Sequence, residues 1–181
     1  MNKKTEKKIA VYPGSFNPIH PGHLHTIRQA AQVFDTVYVV VMDNPAKKYD
    51  VDDKIRAKWI KGMIKGFNWS KHVKVEYCYG PLVDYCRAKK AKFIVRGIRN
   101  GVDLEFERAQ QQYNEVLSDE PANINYVYFA PPKRSEYLSS TFIRQFIQYA
   151  TLDKFQSLYF LGGWGSFPDT ITEIFKAYGG L

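Results

Sequence analysis

Apolar positions along the chain follow two alternating rhythms. Short runs rich in Val, Ile, Tyr and Phe occur at Ile9 to Tyr12, Thr36 to Met42, Val73 to Tyr77, Phe93 to Arg96 and Ile124 to Phe129, and such runs predict strands. Between them, Leu24 to Val33, Asp52 to Ile64, Leu82 to Lys89 and Asp103 to Leu117 carry the three- and four-residue apolar spacing that predicts helices. Five strands separated by helices imply right-handed crossovers and a parallel sheet covered on both faces. The expected fold is α/β and doubly wound, with a helical extension at the C-terminal end.

Local punctuation supports these boundaries. Asp52 can cap the second helix, Pro81 suits a first helical turn, and Ser139 or Ser140 can cap a helix starting near Thr141. With no internal repeat and no low-complexity linker, residues 1–181 read as a single domain, in which 156–181 form an unassigned extension. That extension holds the Gly-rich aromatic stretch LGGWGSFPD and a helix candidate from Thr170 to Tyr178.

Composition narrows the class. A chain of 181 residues buries roughly two thirds of its unfolded surface, enough for one sizeable core. Hydrophobic residues at 45% and charged residues at 24% exclude disorder. No apolar run approaches the roughly 20 residues that span a bilayer, and MNKKTEKK leads into a short mixed strand rather than a signal-peptide core, so a cytoplasmic location is expected. Cys78 and Cys86 have no C-x-x-C pair or metal-ligand constellation around them and read as ordinary reduced thiols. The net charge of +8 raises the possibility of nucleic-acid binding. Its distribution argues otherwise: lysines crowd the N-terminus, and Lys54, Arg56, Lys58, Lys61, Lys65 and Lys71 read as a solvated helix face and its flank. Polyphosphate substrates suffice to explain a basic protein.

Three segments carry chemistry. The run YPGSFNPIHPGH, Tyr12 to His23, lies between the first strand and the first helix, the place where ligands bind in a doubly wound sheet. Gly14 allows close backbone approach, Ser15 and neighbouring amides can donate to phosphate, and His20 and His23 stand at the positive end of the helix. Two histidines spaced in this way are, by themselves, more often a helix cap and a surface side chain; a zinc pair would need a further close ligand, which the sequence does not offer. The second segment, FIVRGIRNGVDLEFE, presents Arg96 and Arg99 around Gly97, and their guanidinium forks suit phosphate. Pairing with Asp103, Glu105 or Glu107 is an equally good reading of those arginines. In the third, SEYLSSTFIR, the hydroxyls of Ser139, Ser140 and Thr141 at a helix start suit a triphosphate, or a plain helix cap. Lys47 and Lys48, in DNPAKKYD, read on their own as solvated loop lysines.

Taken together and in order, these segments resemble the nucleotidyltransferase superfamily. GSFNPIHPGH resembles its T/H-x-G-H signature, and RGIRNGVDLEFE and SSTFIR resemble elements of the phosphopantetheine adenylyltransferases. The resemblance runs from about Ile9 to Gln148 and implies a Rossmann-like domain that moves an adenylyl group from ATP to 4′-phosphopantetheine. It implies catalytic roles for His23, Lys47 and Arg96. ATP contacts are implied at Ser15, Phe16, His20, His23, Gly97 to Arg99, Glu107 and the run Ser135, Glu136, Tyr137, Leu138, Ser139, Ser140, Thr141. Ser15, Lys47, Leu82 and Arg96 fall on the acceptor side. Magnesium would accompany ATP without a dedicated protein site, and a homo-oligomer, commonly a hexamer, is implied.

Departures keep other readings open. Asn17 stands where an aspartate is common and His20-Pro21 where Thr-Asn is frequent, so the segment also resembles nicotinate or nicotinamide mononucleotide adenylyltransferases, which typically lack R-G-I-R. A basic nucleic-acid binder lacks an RNP-type module here. An inactive nucleotide-binding regulator is at odds with intact motif histidines, Lys47 and both arginines.

Overall fold

The computed structural model describes residues 6–44, 47–116, 123–161, 164 and 167–179. Five strands form one parallel sheet: β1 (Ile9–Gly14), β2 (Thr36–Val41), β3 (Val73–Tyr77), β4 (Phe93–Gly97) and β5 (Asn125–Phe129), in the order β3-β2-β1-β4-β5. The connecting helices are α1 (Pro21–Val33), α2 (Asp53–Ile64), α3 (Leu82–Ala88) and α4 (Gly101–Val116). After β5 come α5 (Ser140–Ile147), α6 (Leu152–Leu161) and α7 (Pro168–Ala177). The doubly wound expectation is met and its boundaries move by only a few residues. Leu117, expected to close the fourth helix, lies outside the described residues, as do parts of the Gly-rich stretch.

Strand alternation divides the core. Ala10, Tyr12, Val37, Val39, Val41 and Val95 face one side, where α1, α2 and the C-terminal helices supply Leu24, Ile27, Trp59, Ile60, Met63, Phe155, Ile171 and Phe175. Val11, Val40 and Ile94 face the other, against Leu82, Tyr85 and Cys86 of α3. Cys78 and Cys86 are free thiols, and burial pushes Cys86 up to about 12.

The caps follow the sequence. Asp52 accepts from the Lys54 amide at 2.8 Å, and Ser139 accepts from the Phe142 amide at 3.0 Å. Pro81 is the N-cap residue of α3.

Helices α6 and α7, which hold most of the described part of the unassigned extension 156–181, pack against each other, and α7 docks on α2. Helix α6 has no counterpart among the helices expected from the sequence, although its buried Phe155, Leu158 and Tyr159 show three- and four-residue apolar spacing. Trp59 Nε1 and Lys58 Nζ both donate to Glu173 of α7, each at 3.0 Å. At Gly62 a Cβ would come within 2.6 Å of Thr170 Oγ1, so α2 and α7 approach closely at a residue without a side chain.

Strand order reverses between β1 and β4. These two strands pair at Ala10↔Phe93 and Val11↔Ile94, whereas β1 keeps register with β2 as far as Gly14↔Val41. Beyond Val11 and Ile94 the sheet therefore opens at its carboxyl edge, the switch point where doubly wound domains bind ligands.

Candidate active site

A cleft of about 810 Å³ occupies this opening. The ends of β1 and β4 contribute Tyr12 to Ser15 on one side and Arg96 and Gly97 on the other. At Gly97 an added Cβ would meet Thr26 Oγ1 at 2.9 Å, so only glycine lets β4 lie this close to α1. The start of α1 adds His20 and His23, α4 adds Asp103, Phe106 and Glu107, and the start of α5 adds Ser139 to Thr141 and Arg144.

The loop after β1 is tightly constrained. Phe16 has a φ of 44°, an uncommon conformation for a bulky residue that costs on the order of 1 kcal/mol or more. Its ring is 1% exposed and packs edge-on to Tyr12 at 5.4 Å and His23 at 5.0 Å, and that burial offsets the strain. Phe16 thus shapes the site from behind; it is not among the residues lining the cleft.

His20 and His23 form a reciprocal cap on α1. The Gly22 amide donates to His20 Nδ1 at 3.2 Å, and the His20 amide donates to His23 Nδ1 at 3.3 Å. An Nδ1 that accepts a backbone N–H carries no proton, so the proton of each neutral ring sits on Nε2. The rings stack with centroids 3.7 Å apart. Burial, reinforced by the Arg99 charge, lowers His23 to about 3. Burial lowers His20 as well, with further contributions from His23 and Arg99. The helix start therefore offers two neutral, oriented N–H donors.

The arginines are held by their own carboxylates. Arg96 Nε lies 2.9 Å from Glu107 Oε2, off the N–H axis, so the pair is more Coulombic than hydrogen-bonded. Burial raises the Glu107 carboxyl above its usual value, and Arg96 opposes that rise. Arg99 makes a fork to Asp103, with Nε at 2.8 Å from Oδ2 and Nη2 at 2.9 Å from Oδ1. This fork lowers the Asp103 pKa. Ion pairing and cleft lining, two readings the sequence left open, are both true of these side chains.

Lys47 and Lys48 are exposed on the loop after β2 and face the cleft. With Arg96, Arg99 and Arg144 they make five cations against the carboxylates of Asp50, Asp103 and Glu107 among the described lining residues. A crevice with that balance favours polyanions.

Several expected site residues are not among those lining the cleft. Leu82 is 7% exposed in the α3 core and does not line the cleft. Ile98 continues the β4–β5 ladder through its amide to Phe129 O at 2.9 Å. Glu136 and Tyr137 are exposed, Tyr137 against Phe142, while Ser135 and Leu138 do line the cleft. Arg56 overturns the reading of a solvated face: it is 1% exposed and donates to Ser15 O at 2.5 Å, to Val51 O at 3.0 Å and to Asp43 at 2.6 Å. The sequence reading also passed over Asn17, Thr26, Tyr49, Asp50 and Phe106 in the lining. Asn17, Thr26 and Phe106 sit within or beside quoted motifs, and that proximity was the available signal.

Comparison with known proteins bears on this geometry. Residues 11–146 match the cytidylyltransferase-like family. A phosphopantetheine adenylyltransferase of Clostridium novyi is 37% identical over 142 residues, covering 78% of this chain and 84% of that one. One from Mycoplasma capricolum is 40% identical over 139 residues, covering 76% and 95%. Among solved structures, a Plasmodium falciparum nicotinic acid mononucleotide adenylyltransferase complexed with NaAD superposes with a TM-score of 0.70 at 16% identity, over 97% of this chain and 99% of that one. This last likeness is one of fold and extends through the C-terminal helices.

Proposed function

The chain belongs to the phosphopantetheine adenylyltransferase family of cytidylyltransferase-like nucleotidyltransferases, and from that premise we propose that it adenylylates 4′-phosphopantetheine with ATP, forming dephospho-CoA and pyrophosphate in coenzyme A biosynthesis. The observation that carries this reading is the cleft at the β1/β4 switch point, where two oriented histidine donors and two arginines line one opening.

An oxygen of the acceptor phosphate attacks the α-phosphorus of ATP. The bond from that phosphorus to the bridging oxygen of the leaving pyrophosphate breaks as the new P–O bond forms. The acceptor oxygen is already ionised, so no side chain needs to act as a nucleophile; the protein's task is alignment and stabilisation of added charge. His23 donates its Nε2 proton as a hydrogen bond to the α-phosphate, and His20 helps seat ATP. Lys47 and Ser15 serve both sides of the reacting centre and Arg96 takes the acceptor phosphate. Arg99, Glu107 and Ser139 to Thr141 take ATP, with Ser135, Leu138 and Gly97 shaping the nucleotide side. Phe16 supports these contacts from the core.

Magnesium enters with ATP and neutralises triphosphate charge. Asp103 and Glu107 are each engaged with an arginine, which favours an ion held by phosphate oxygens and water. We also assign the enzyme to the cytoplasm, to a homo-oligomer such as the hexamer its family resemblance implies, and to no specific nucleic-acid partner. Self-association is supported by α4, which has no buried residue and exposes Tyr113 and Val116 outside the cleft lining.

Incubation with Mg-ATP and 4′-phosphopantetheine should yield dephospho-CoA and pyrophosphate in equal amounts by mass spectrometry. Unphosphorylated pantetheine, which lacks the attacking oxygen, should give neither. Pyrophosphate release without dephospho-CoA would reject the acceptor.

A further inference from the structure

The loop from Ser15 to Ile19 is gripped by a belt of side-chain donors. Arg56 of α2 holds the Ser15 carbonyl at 2.5 Å, and Ser140 of α5 holds that of Pro18 at 2.9 Å. Arg144 of α5 holds the Asn17 carbonyl. These three donors lie within the part of the chain that matches its family. Two further donors do not. Tyr159 of α6 gives its hydroxyl to the Ile19 carbonyl at 2.8 Å, and Tyr178, just past α7, gives its hydroxyl to Asn17 Oδ1. Both hydroxyls are buried, and their partners lie 140 and 161 residues away in the chain. Gln148 Nε2 in turn donates to the Tyr178 carbonyl at 2.7 Å and fixes the end of α7.

Asn17 lines the cleft while being only 7% exposed. With Oδ1 occupied by Tyr178, the polar group this side chain retains for the cleft is its amide NH₂, a donor suited to phosphate oxygen.

We propose that the C-terminal helices complete the active site, and that Tyr178 is a positioning residue which fixes Asn17 so that its amide donates to a phosphate of the bound nucleotide. Tyr159 secures the same loop at Ile19. The proposal rests on the cleft being the adenylyl-transfer site. A protein with this belt has a phosphate loop whose geometry depends on its own C-terminus, which explains why α6 and α7 pack over α2 and this loop rather than standing apart.

The test is a double-mutant cycle of Tyr178→Phe and Asn17→Ala, with Glu173→Gln as a control that weakens tail docking without touching the loop. Tyr178→Phe keeps the ring and removes the hydroxyl. It should lower kcat/KM for ATP about tenfold, near 1.4 kcal/mol. Asn17→Ala should do the same, and the double variant should be no worse than Asn17→Ala alone. Glu173→Gln should lower the melting temperature and leave kcat/KM unchanged. A folded Tyr178→Phe with wild-type kcat/KM, or a double variant showing the product of both losses, would overturn the proposal. The same cycle read as ATP affinity by calorimetry does not depend on the acceptor. Coupled loss of ATP binding in an enzyme inert with 4′-phosphopantetheine would therefore reject the acceptor assignment alone, whereas uncoupled variants of an active enzyme would reject the positioning role alone.

Discussion

The histidine and arginine sides of the cleft are built on different principles. His20 and His23 are capped, stacked and neutral before any ligand arrives, each with its Nδ1 occupied by a backbone amide. Arg96 and Arg99 instead enter the cleft already paired, to Glu107 and Asp103. A neutral N–H donor fixed by the backbone needs no reorganisation when charge grows at phosphorus, whereas a guanidinium bound to a carboxylate must share or exchange its partner to grip a phosphate. Under the proposed roles, the contrast favours transition-state work for His23 and ground-state binding for His20 and the arginines.

The largest effect should come from His23→Ala. Loss of one electrostatic donor of this kind costs on the order of 3 kcal/mol, or about a hundredfold in kcat, with little change in the KM for ATP. His20→Ala should weaken ATP binding alongside rate. Near-normal kcat in a His23→Ala enzyme with an intact circular dichroism spectrum would erase the contrast.

Arg96→Ala should act mainly on the acceptor. Loss of a charged hydrogen-bonding partner, worth about 1.5–3 kcal/mol, should raise the acceptor KM roughly ten- to hundredfold and spare kcat more than His23→Ala does. Glu107→Gln sharpens the point: it releases Arg96 from its half-buried carboxylate, so acceptor KM should move by only a few fold. Steady-state kinetics with varied acceptor reads both.

A smaller effect follows from neutrality. The folded protein holds His20 and His23 below their ordinary value of 6.5, while the unfolded chain takes up protons there. The unfolded state therefore binds more protons, and the histidines' contribution to stability, fully present above about pH 6.5, declines as pH falls towards the folded value of His23 near 3. Melting temperature should drop between pH 7 and about pH 5, and the drop should shrink by a few degrees in a variant with both histidines replaced by Gln. Equal slopes for the two proteins would argue that the rings titrate in the fold as they do in the unfolded chain.

Local and repeated features were legible in the chain. Strand runs, helix spacing and the caps at Asp52 and Ser139 depend on near neighbours, and the three motifs bring most of the cleft lining together because strand ends and helix starts meet at a switch point. Long-range features were not. Arg56 lies in a helix studded with lysines, and nothing in that spacing marks one cation as buried beneath Ser15. The grip of Tyr178 on Asn17 spans 161 residues and arises only from the packing of α7 on α2. Leu82 is apolar at a helix start, a pattern shared by core and pocket residues; in the fold it packs in the α3 core.

One competition experiment measures acceptor choice directly. The enzyme is given Mg-ATP with 4′-phosphopantetheine and nicotinate mononucleotide at equal concentration, and early products are separated by liquid chromatography and mass spectrometry. Dephospho-CoA should be the dominant product, with pyrophosphate matching it; nicotinic acid adenine dinucleotide accumulating in its place would reject 4′-phosphopantetheine as the acceptor.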